Sequence, residues 1–252
     1  SSDRFIKDRK FWKEETEKLK SPKVGIIPYD KRELKTTAIT RKYKLDKKIV
    51  KKIQHYCGEN KISENAFFIA VFNLYVGKVS KFDEFTISLV SSNRKNFEEK
   101  NAFGPFYDGL YFYAKIQDKP LKDYLIDTNN DLFRGYKHYK FPVSKVTKLL
   151  KKKGLKGLVA SKIYFSYQVM RNKDDNYKKK CKINWAPMKG TYVYDMLINV
   201  HDIENTGDLY MVINYLSSRY KKETIDKIGI GMAKIIDQVL INDKINIGSI
   251  EI

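Results

Sequence analysis

The sequence predicts an α/β fold, a two-layer sandwich of a mixed sheet and helices. Strand-like and helix-like segments follow one another in mixed order along the 252 residues, which is typical of this class. The clearest helix, 222–240, repeats its apolar residues at three- and four-residue spacing, which predicts one face packed on a core. Hydrophobic residues make up 42% of the chain, and no Gly/Ser/Pro linker divides it. We therefore expect a single domain over residues 1–252.

The first 30 residues predict an opening helix and a connector. Residues 4–19 are amphipathic, with Phe5, Trp12 and Leu19 on one side. Pro22, Gly25 and Pro28 follow, and these residues favour an extended segment that ends at Asp30. The connector is therefore expected over 21–30.

Two further helices are predicted from their start signals. Asp46 and Ser63 have side chains suited to the capping of a helix N-terminus, and Gly58 is expected to end the first of these helices. The second helix, 64–78, is apolar on all sides, so we expect it to be largely buried. One more helix is predicted over 119–134.

The remaining apolar runs are short and rich in β-branched and aromatic residues, which is typical of strands. The predicted strands are 36–45, 85–90, 110–116, 163–169, 193–200, 209–215 and 245–251. A polar loop follows the second strand, and a Lys-rich insertion occupies 171–191.

Composition narrows the classes of function. The net charge is +20, but only eight of the 50 basic residues are Arg, and Lys is a solvated point charge rather than a bidentate reader of bases. A solvated basic surface is therefore favoured over a nucleic-acid site. Cys57 and Cys181 form no C-x-x-C pair, so neither a disulfide framework nor a metal site is expected. No apolar run is long enough to span a membrane, and we expect a cytoplasmic protein.

The residues alone give no complete catalytic constellation. The three histidines are His55, His138 and His201, and none lies in a recognised catalytic motif. His138 is expected to be a structural histidine beside Pro142. No nucleophile elbow, metalloprotease helix or phosphate-binding Gly loop is present.

Several short motifs follow one another in order along the chain. They are Phe11-Trp12 with Leu19, Pro28-Tyr29-Asp30-Lys31-Arg32, V-S-S-N-R over 90–94, G-P-F-Y-D-G over 104–109, His138 with Phe141 and Pro142, Y-F-S-Y-Q over 164–168, Y-D-M-L over 194–197, and Glu223-Thr224-Ile225. In this order they resemble the C-terminal half of the condensation domain of nonribosomal peptide synthetases, in the chloramphenicol acetyltransferase-like superfamily.

The resemblance implies a function in peptide antibiotic biosynthesis and secondary metabolism. Condensation domains form amide bonds between aminoacyl and peptidyl thioesters held on the phosphopantetheine arms of carrier proteins. Their catalytic H-H-x-x-x-D-G motif lies in an N-terminal lobe, and this sequence does not contain it. The resemblance therefore implies that this chain is the second lobe, either excised from a longer protein or a natural half. Such a lobe is expected to be inactive alone and to bind no cofactor directly. Its implied partners are the N-terminal lobe, carrier proteins and adjacent synthetase domains.

The resemblance also implies which segments line the substrate tunnel. Residues 91–103 correspond to a floor loop, and residues 171–191 to a latch that crosses to the other lobe. The implied tunnel residues are Arg94, Asp108, Tyr167, Gln168 and Trp185. The basic run Lys178, Lys179 and Lys180 would steer an acidic carrier protein, although such runs are usually only solvated.

Several of these residues have a structural alternative. Arg94 is expected to brace its loop through a salt bridge rather than bind a phosphate, and Asp108 equally suits a turn before Gly109. Trp185 would anchor the latch or stack on a base. Three residues depart from the family pattern, namely Asp108 in place of Asn, Tyr113 in place of Arg and Val169 in place of Asn.

Two other functions remain open at this point. The chain would otherwise be a non-catalytic docking or scaffold module of a synthetase, or a basic domain that binds anionic surfaces or nucleic acid. An H-H-x-x-x-D-G motif in a preceding segment would favour the condensation half over the scaffold module. Salt-dependent binding to nucleic acid would favour the third function.

Overall fold

A computed structural model describes residues 3–19, 27–33, 37–92, 94, 96–104, 107–153, 162–169, 194–202 and 208–252. The helices are α1 (Asp3–Lys18), α2 (Lys47–Glu59), α3 (Glu64–Ser80), α4 (Phe97–Asn101), α5 (Leu121–Lys137), α6 (Val143–Lys152) and α7 (Lys222–Ile241). The strands are β1 (Ala38–Lys44), β2 (Glu84–Ser91), β3 (Asp108–Lys115), β4 (Ile163–Val169), β5 (Met196–Asp202) and β6 (Tyr210–Leu216).

The six strands form one mixed sheet in the order β1-β6-β5-β4-β2-β3. Strand β4 pairs in parallel with both β2 and β5, whereas the β1–β6, β5–β6 and β2–β3 pairs are antiparallel. The α/β fold class is therefore confirmed. Because β2, β4 and β5 run in one direction, their carboxyl ends lie at the same edge of the sheet.

One face of the sheet carries the helical layer. Phe165 of β4 stacks on Phe72 of α3 with ring centroids 5.8 Å apart. Every residue from Ala66 to Val76 is buried, which confirms the prediction from the apolar character of this segment. Helix α7 packs by its predicted Ile stripe, with Ile225, Ile228 and Ile235 fully buried. These contacts bury the apolar core between the sheet and helices α3, α5 and α7.

The opposite face of the sheet is polar at its centre. Successive side chains alternate between faces, so Ser88, Ser166 and Asn199 all point away from Phe165 and its neighbours. His201 and Asn214 belong to the same face, and all five side chains are buried. The sheet therefore separates an apolar core on one face from a buried polar centre on the other.

The predicted start signals of two helices are correct. The Asp46 side chain accepts a hydrogen bond from the Lys48 backbone N–H, and the Ser63 side chain accepts one from the Ala66 N–H. The predicted end of α2 at Gly58 is wrong by one residue, because the helix continues to Glu59. The chain turns instead at Lys61, whose φ of 54° is left-handed.

Three local predictions need correction. The predicted strand 245–251 is a 3-10 helix, Ile247–Ser249, and its only strand-like pairing in the described chain is the isolated bridge between Asn246 and Pro120. Helix α6 was not predicted. The polar loop after β2 contains the short helix α4, which starts with reciprocal hydrogen bonds between Asn96 and Glu99.

Candidate functional site

A cleft of about 450 Å³ opens at the carboxyl ends of the parallel strands β2 and β4. The first turn of α3 also reaches it, through Asn65. In sheets with parallel strands, the crevice beyond the carboxyl ends is the usual position of a ligand site. We therefore take this cleft as the candidate site.

The lining of the cleft is rich in neutral hydrogen-bonding groups. The described lining residues are Asn65, Val90, Ser91, Ser92, Arg94, Tyr107, Tyr136, Tyr139, Ser166, Tyr167 and Gln168. Burial raises the pKa of Tyr136, although the hydrogen bond with Asn65 opposes this, so the phenol stays protonated at neutral pH. Among these residues no imidazole, thiol or carboxylate is present. The described lining can bind and orient a neutral polar group, but it offers no group that transfers a proton at neutral pH.

Arg94 holds the loop at the rim of the cleft. Its guanidinium donates to the backbone carbonyls of Glu99, Ala102 and Gly104, each at 2.6 Å. Nη1 reaches the first two carbonyls and Nη2 the third, whereas Lys carries all of its donors on one nitrogen. Arg94 therefore braces the segment 96–104 through backbone carbonyls.

The same segment is tied to the turn after α5. Lys140 Nζ lies 3.2 Å from Glu99 Oε1, and the Tyr139 hydroxyl donates to Glu99 Oε2 at 3.4 Å. The segment nevertheless exposes its aromatic side chains, because Phe97 is 81% exposed, Tyr107 is 73% exposed and Phe103 is fully exposed. An internally braced loop with outward aromatic side chains is typical of a surface that contacts a partner.

Tyr167 and Gln168 lie on opposite faces of the sheet at the end of β4. The Tyr167 ring stacks on Phe68, and its hydroxyl donates to Glu64 Oε2 at 2.7 Å. Gln168 is exposed and donates to the Ser166 hydroxyl at 2.9 Å. Both line the cleft, but Gln168 is the more accessible of the two.

Asp108 is placed outside the described lining of the cleft. Its Oδ1 accepts a hydrogen bond from the Gly109 N–H at 2.7 Å, and its Oδ2 lies 3.5 Å from the Val143 N–H at the start of α6. Asp108 is the first residue of β3, where it pairs with Ser91, so the turn that the sequence left open does not form and the carboxylate instead lies beside a helix N-terminus. Of the other departures from the family pattern, Tyr113 lies on β3 beside Glu84, and Val169 packs against the core.

None of the three histidines is in the described lining of the cleft, although His201 pairs with Gln168 across the sheet. His138 Nδ1 is 2.7 Å from Asp8 Oδ1, its ring stacks on Phe11 with centroids 3.9 Å apart, and its carbonyl accepts from Trp12 Nε1 at 3.0 Å. His138 thus fastens α1 to the end of α5. His55 is exposed on α2 and His201 is buried on β5.

Four residues that line the cleft were not among the predicted site residues. They are Tyr136, Tyr139, Asn65 and Ser166. Tyr136 and Tyr139 are three residues apart, a spacing that places side chains on one side of a helix end. Asn65 follows a recognised cap, Ser63, and its amide donates to the Tyr136 hydroxyl at 3.1 Å. No local sequence pattern marks these residues as part of a site. They come together only because β2 and β4 pair in parallel and so form the cleft.

The predicted site residues of the segment 171–191 lie outside the described residues. They are Trp185, Lys178, Lys179 and Lys180. Within the described ranges, no group of three or more His, Cys, Asp or Glu side chains is arranged to hold a metal ion. None of the helices in these ranges is long and apolar enough to cross a membrane.

Comparison with known proteins identifies relatives along the whole chain. The model of the condensation domain family matches residues 1–252. Surfactin synthase subunit 1 of Bacillus subtilis (strain 168) is 22% identical over 245 residues, which cover 95% of this chain and 7% of that protein. Gramicidin S synthase 2 of Aneurinibacillus migulanus is 18% identical over 204 residues, covering 80% of this chain and 4% of that protein.

Solved structures share the fold. The four-domain nonribosomal peptide synthetase holo-AB3403 matches with a TM-score of 0.77 and 17% identity, over 98% of this chain and 20% of that one. SgcC5 of Streptomyces globisporus matches with a TM-score of 0.79 and 12% identity, over 97% of this chain and 57% of that one. The condensation domain of the monacolin K polyketide synthase MokA has a TM-score of 0.72 and 16% identity, and this chain covers 59% of its length.

Proposed function

The chain belongs to the condensation domain family, and on this basis we propose that it is the C-terminal lobe of a nonribosomal peptide synthetase condensation domain. In this role residues 1–30 form the opening helix and connector, residues 91–103 the floor loop and residues 171–191 the latch. The lobe supplies one wall of the tunnel in which two carrier-tethered thioesters are joined. The catalytic H-H-x-x-x-D-G motif belongs to the N-terminal lobe, and this sequence does not contain it.

The observation that carries this proposal is a braced loop with exposed aromatic side chains next to Arg94. Arg94, which lines the cleft, holds the loop through backbone carbonyls, while Phe97 and Phe103 of the loop and Tyr107 of the cleft lining are exposed. Exposed aromatic side chains on a braced loop are expected where a second protein surface packs on them. This chain covers 57% of SgcC5 and 59% of the MokA condensation domain. The remainder of each of those two chains is therefore similar in size to this lobe, which fits a partner lobe of that size.

The chemistry of the cleft supports the same assignment. Hydroxyl and amide groups such as those of Ser91, Ser166 and Gln168 suit the amide and hydroxyl groups of a phosphopantetheine arm or a peptidyl chain. Amide formation also requires a group that manages the proton of the attacking amine. The described lining lacks such a group, and in this proposal the N-terminal lobe supplies it.

Binding to the N-terminal lobe encoded with this chain tests the proposal. The two lobes, expressed separately and mixed, are expected to elute as a 1:1 complex in size-exclusion chromatography. Phe103→Ser should weaken the complex about tenfold or more, because central aromatic contacts carry much of the binding energy of an interface. Phe133→Ser, an exposed phenylalanine on α5, serves as the matched control. Failure of the lobes to associate, or equal weakening by both variants, would contradict the proposal.

A further inference from the structure

Residues 138–141 form a turn between α5 and α6, and backbone hydrogen bonds close this turn. The His138 N–H donates to the Gly135 carbonyl at 3.0 Å, and the Phe141 N–H donates to the His138 carbonyl at 3.3 Å. Each residue of a chain has only two soft backbone dihedral angles, and these hydrogen bonds restrict them further. The side chains of the turn are therefore expected to move together.

Two residues of this turn hold the opening helix α1. His138 Nδ1 lies 2.7 Å from Asp8 Oδ1, and the ring centroids of Phe141 and Phe5 are 5.3 Å apart. Asp8 is buried, with only 3% of its surface exposed, and a buried carboxylate needs a partner that offsets its loss of water. The contact between Asp8 and His138 is therefore a specific attachment of α1 to the turn.

The two residues between them hold the segment 96–104. The Tyr139 hydroxyl donates to Glu99 Oε2 at 3.4 Å, and Lys140 Nζ lies 3.2 Å from Glu99 Oε1. The Glu99 backbone carbonyl also accepts from Arg94 Nη1 at 2.6 Å, and Arg94 lines the cleft. Glu99 thus connects the turn to the same segment that Arg94 braces.

Tyr139 contacts both sides of this arrangement. The guanidinium of Arg4, on α1, lies over the Tyr139 ring at 5.9 Å from its centroid, while the phenol hydroxyl reaches Glu99. A cation at this distance over an aromatic face is attracted to it. The Tyr139 side chain is buried, and it lines the cleft. One rigid ring therefore contacts α1, the segment 96–104 and the cleft.

We propose that the turn 138–141 couples the docking of α1 to the order of the segment 96–104. His138 and Tyr139 are then positioning residues for one wall of the cleft. When α1 moves off the turn, the turn shifts and Glu99 loses the support that fixes its segment. Linkage requires the reverse as well, so a partner that orders the segment also tightens α1. This coupling goes beyond the proposed function and does not depend on it, because it rests on contacts within this chain.

Amide hydrogen exchange of the whole chain tests the coupling. Asp8→Ala removes the carboxylate that meets His138, so exchange should accelerate about two- to fivefold over residues 3–12 and also over 96–104. Asp8→Asn keeps the volume of the side chain and removes its charge, and it gives the same comparison if Asp8→Ala does not fold. Unchanged exchange over 96–104 would overturn the proposal.

Leu19→Ala is the matched control at the other end of the same helix. Leu19 directly follows α1 and packs against the core, and it lines a cavity whose described lining includes none of residues 138–141. This truncation should accelerate exchange over 13–18 and leave exchange over 96–104 unchanged. Equal acceleration over 96–104 in Leu19→Ala and Asp8→Ala would show a general loosening, and the coupling would be wrong.

A second comparison asks whether the coupling runs through the turn. Tyr139→Phe combined with Lys140→Met removes two groups that reach the Glu99 side chain and keeps the aromatic ring. Exchange over 96–104 should already be faster in this background, and Asp8→Ala should accelerate it by less than about 1.5-fold more. The same fold-change from Asp8→Ala in both backgrounds would mean that the turn has no positioning role.

Discussion

The carboxylate of Asp30 accepts a hydrogen bond from the Thr224 hydroxyl at 2.9 Å, although the two residues are 194 positions apart in the chain. The second carboxylate oxygen accepts from the Lys221 backbone N–H at 2.7 Å, at the start of α7. The residue at the N-cap position of α7 is Lys221, whose side chain makes no capping bond. The connector therefore supplies the cap that the helix lacks locally, which explains why an aspartate stands in the Pro28–Arg32 motif.

Replacement of Asp30 should destabilise the fold. Asp30→Ala leaves the first turn of α7 without its acceptor, so we expect a loss of about 1 kcal/mol in the free energy of unfolding. Chemical denaturation measures this difference. Glu33→Ala is the control, since Glu33 is an exposed residue of the same segment whose side chain pairs with Lys31 at 2.9 Å, and the backbone hydrogen bond from Glu33 to Ser218 is kept in the variant. Equal losses for the two variants would show that the cap contributes nothing specific.

Replacement of Arg94 should loosen the floor-loop segment and spare the global fold. Arg94→Lys replaces two donor nitrogens with one, so amide exchange over 96–104 and chymotrypsin cleavage beside Phe97 or Phe103 should accelerate several-fold. The midpoint of thermal unfolding should change little. Arg9→Lys, on the exposed side of α1, is the comparison. Unchanged exchange in the Arg94 variant would remove Arg94 from the bracing role.

Replacement of Ile235 should unfold the chain. Ile235 is fully buried on α7, so Ile235→Asp places an unpaired carboxylate in the core at a cost of more than about 4 kcal/mol. Ile230, on the same helix, is 58% exposed, and Ile230→Asp should leave stability within about 0.5 kcal/mol. Circular dichroism during heating compares them. A cooperative transition of normal midpoint in Ile235→Asp would contradict the position of α7 on the core.

The Asp226 carboxyl should make stability dependent on pH. It accepts hydrogen bonds from Tyr43 Oη at 2.6 Å and Arg41 Nη2 at 3.1 Å, and these hold its pKa below the ordinary value. A lowered pKa contributes stability above the unfolded pKa of about 4, and this contribution is lost as the pH falls through the folded pKa.

The stability gap between wild type and Asp226→Asn should therefore be largest near neutral pH and should shrink between about pH 4 and pH 2. Asp237→Asn, an exposed position on the same helix, should show no such change. Thermal unfolding across this range gives the comparison. A gap that stays constant with pH would exclude the carboxyl as its cause.

Local signals predicted most of the fold, because they depend on nearby residues. The helix caps at Asp46 and Ser63 depend only on residues two or three positions away, and both form as predicted. The Ile stripe of α7 depends only on the spacing within one helix, and it is buried as predicted. Helix α6 was missed because it is short and begins at Pro142 without a side-chain cap. The strand predicted over 245–251 failed because Ile247 and Ile250 are buried through a 3-10 turn rather than by strand alternation.

The candidate site was only partly predictable, because it is assembled from distant segments. The V-S-S-N-R and Y-F-S-Y-Q motifs led to Arg94, Tyr167 and Gln168, which do meet at the cleft. The inclusion of Tyr136 and Asn65 follows from the parallel pairing of β2 and β4, and no local pattern specifies that pairing. Asp108 was misplaced because its motif position says nothing about the direction of its carboxylate, which points to Gly109 and Val143.

The proposed amide-forming role is measured as product formation from carrier-bound substrates. A donor and an acceptor thioester, each on a pantetheine-loaded carrier protein, are incubated with this chain, with the N-terminal lobe, and with both, and the amide product is detected by mass spectrometry. We predict no product from this chain alone, because it lacks the H-H-x-x-x-D-G motif, and product only when both lobes are present. Turnover by the isolated chain would contradict this role. So would a stable two-lobe complex that gives no product although its N-terminal lobe is active with another C-terminal lobe.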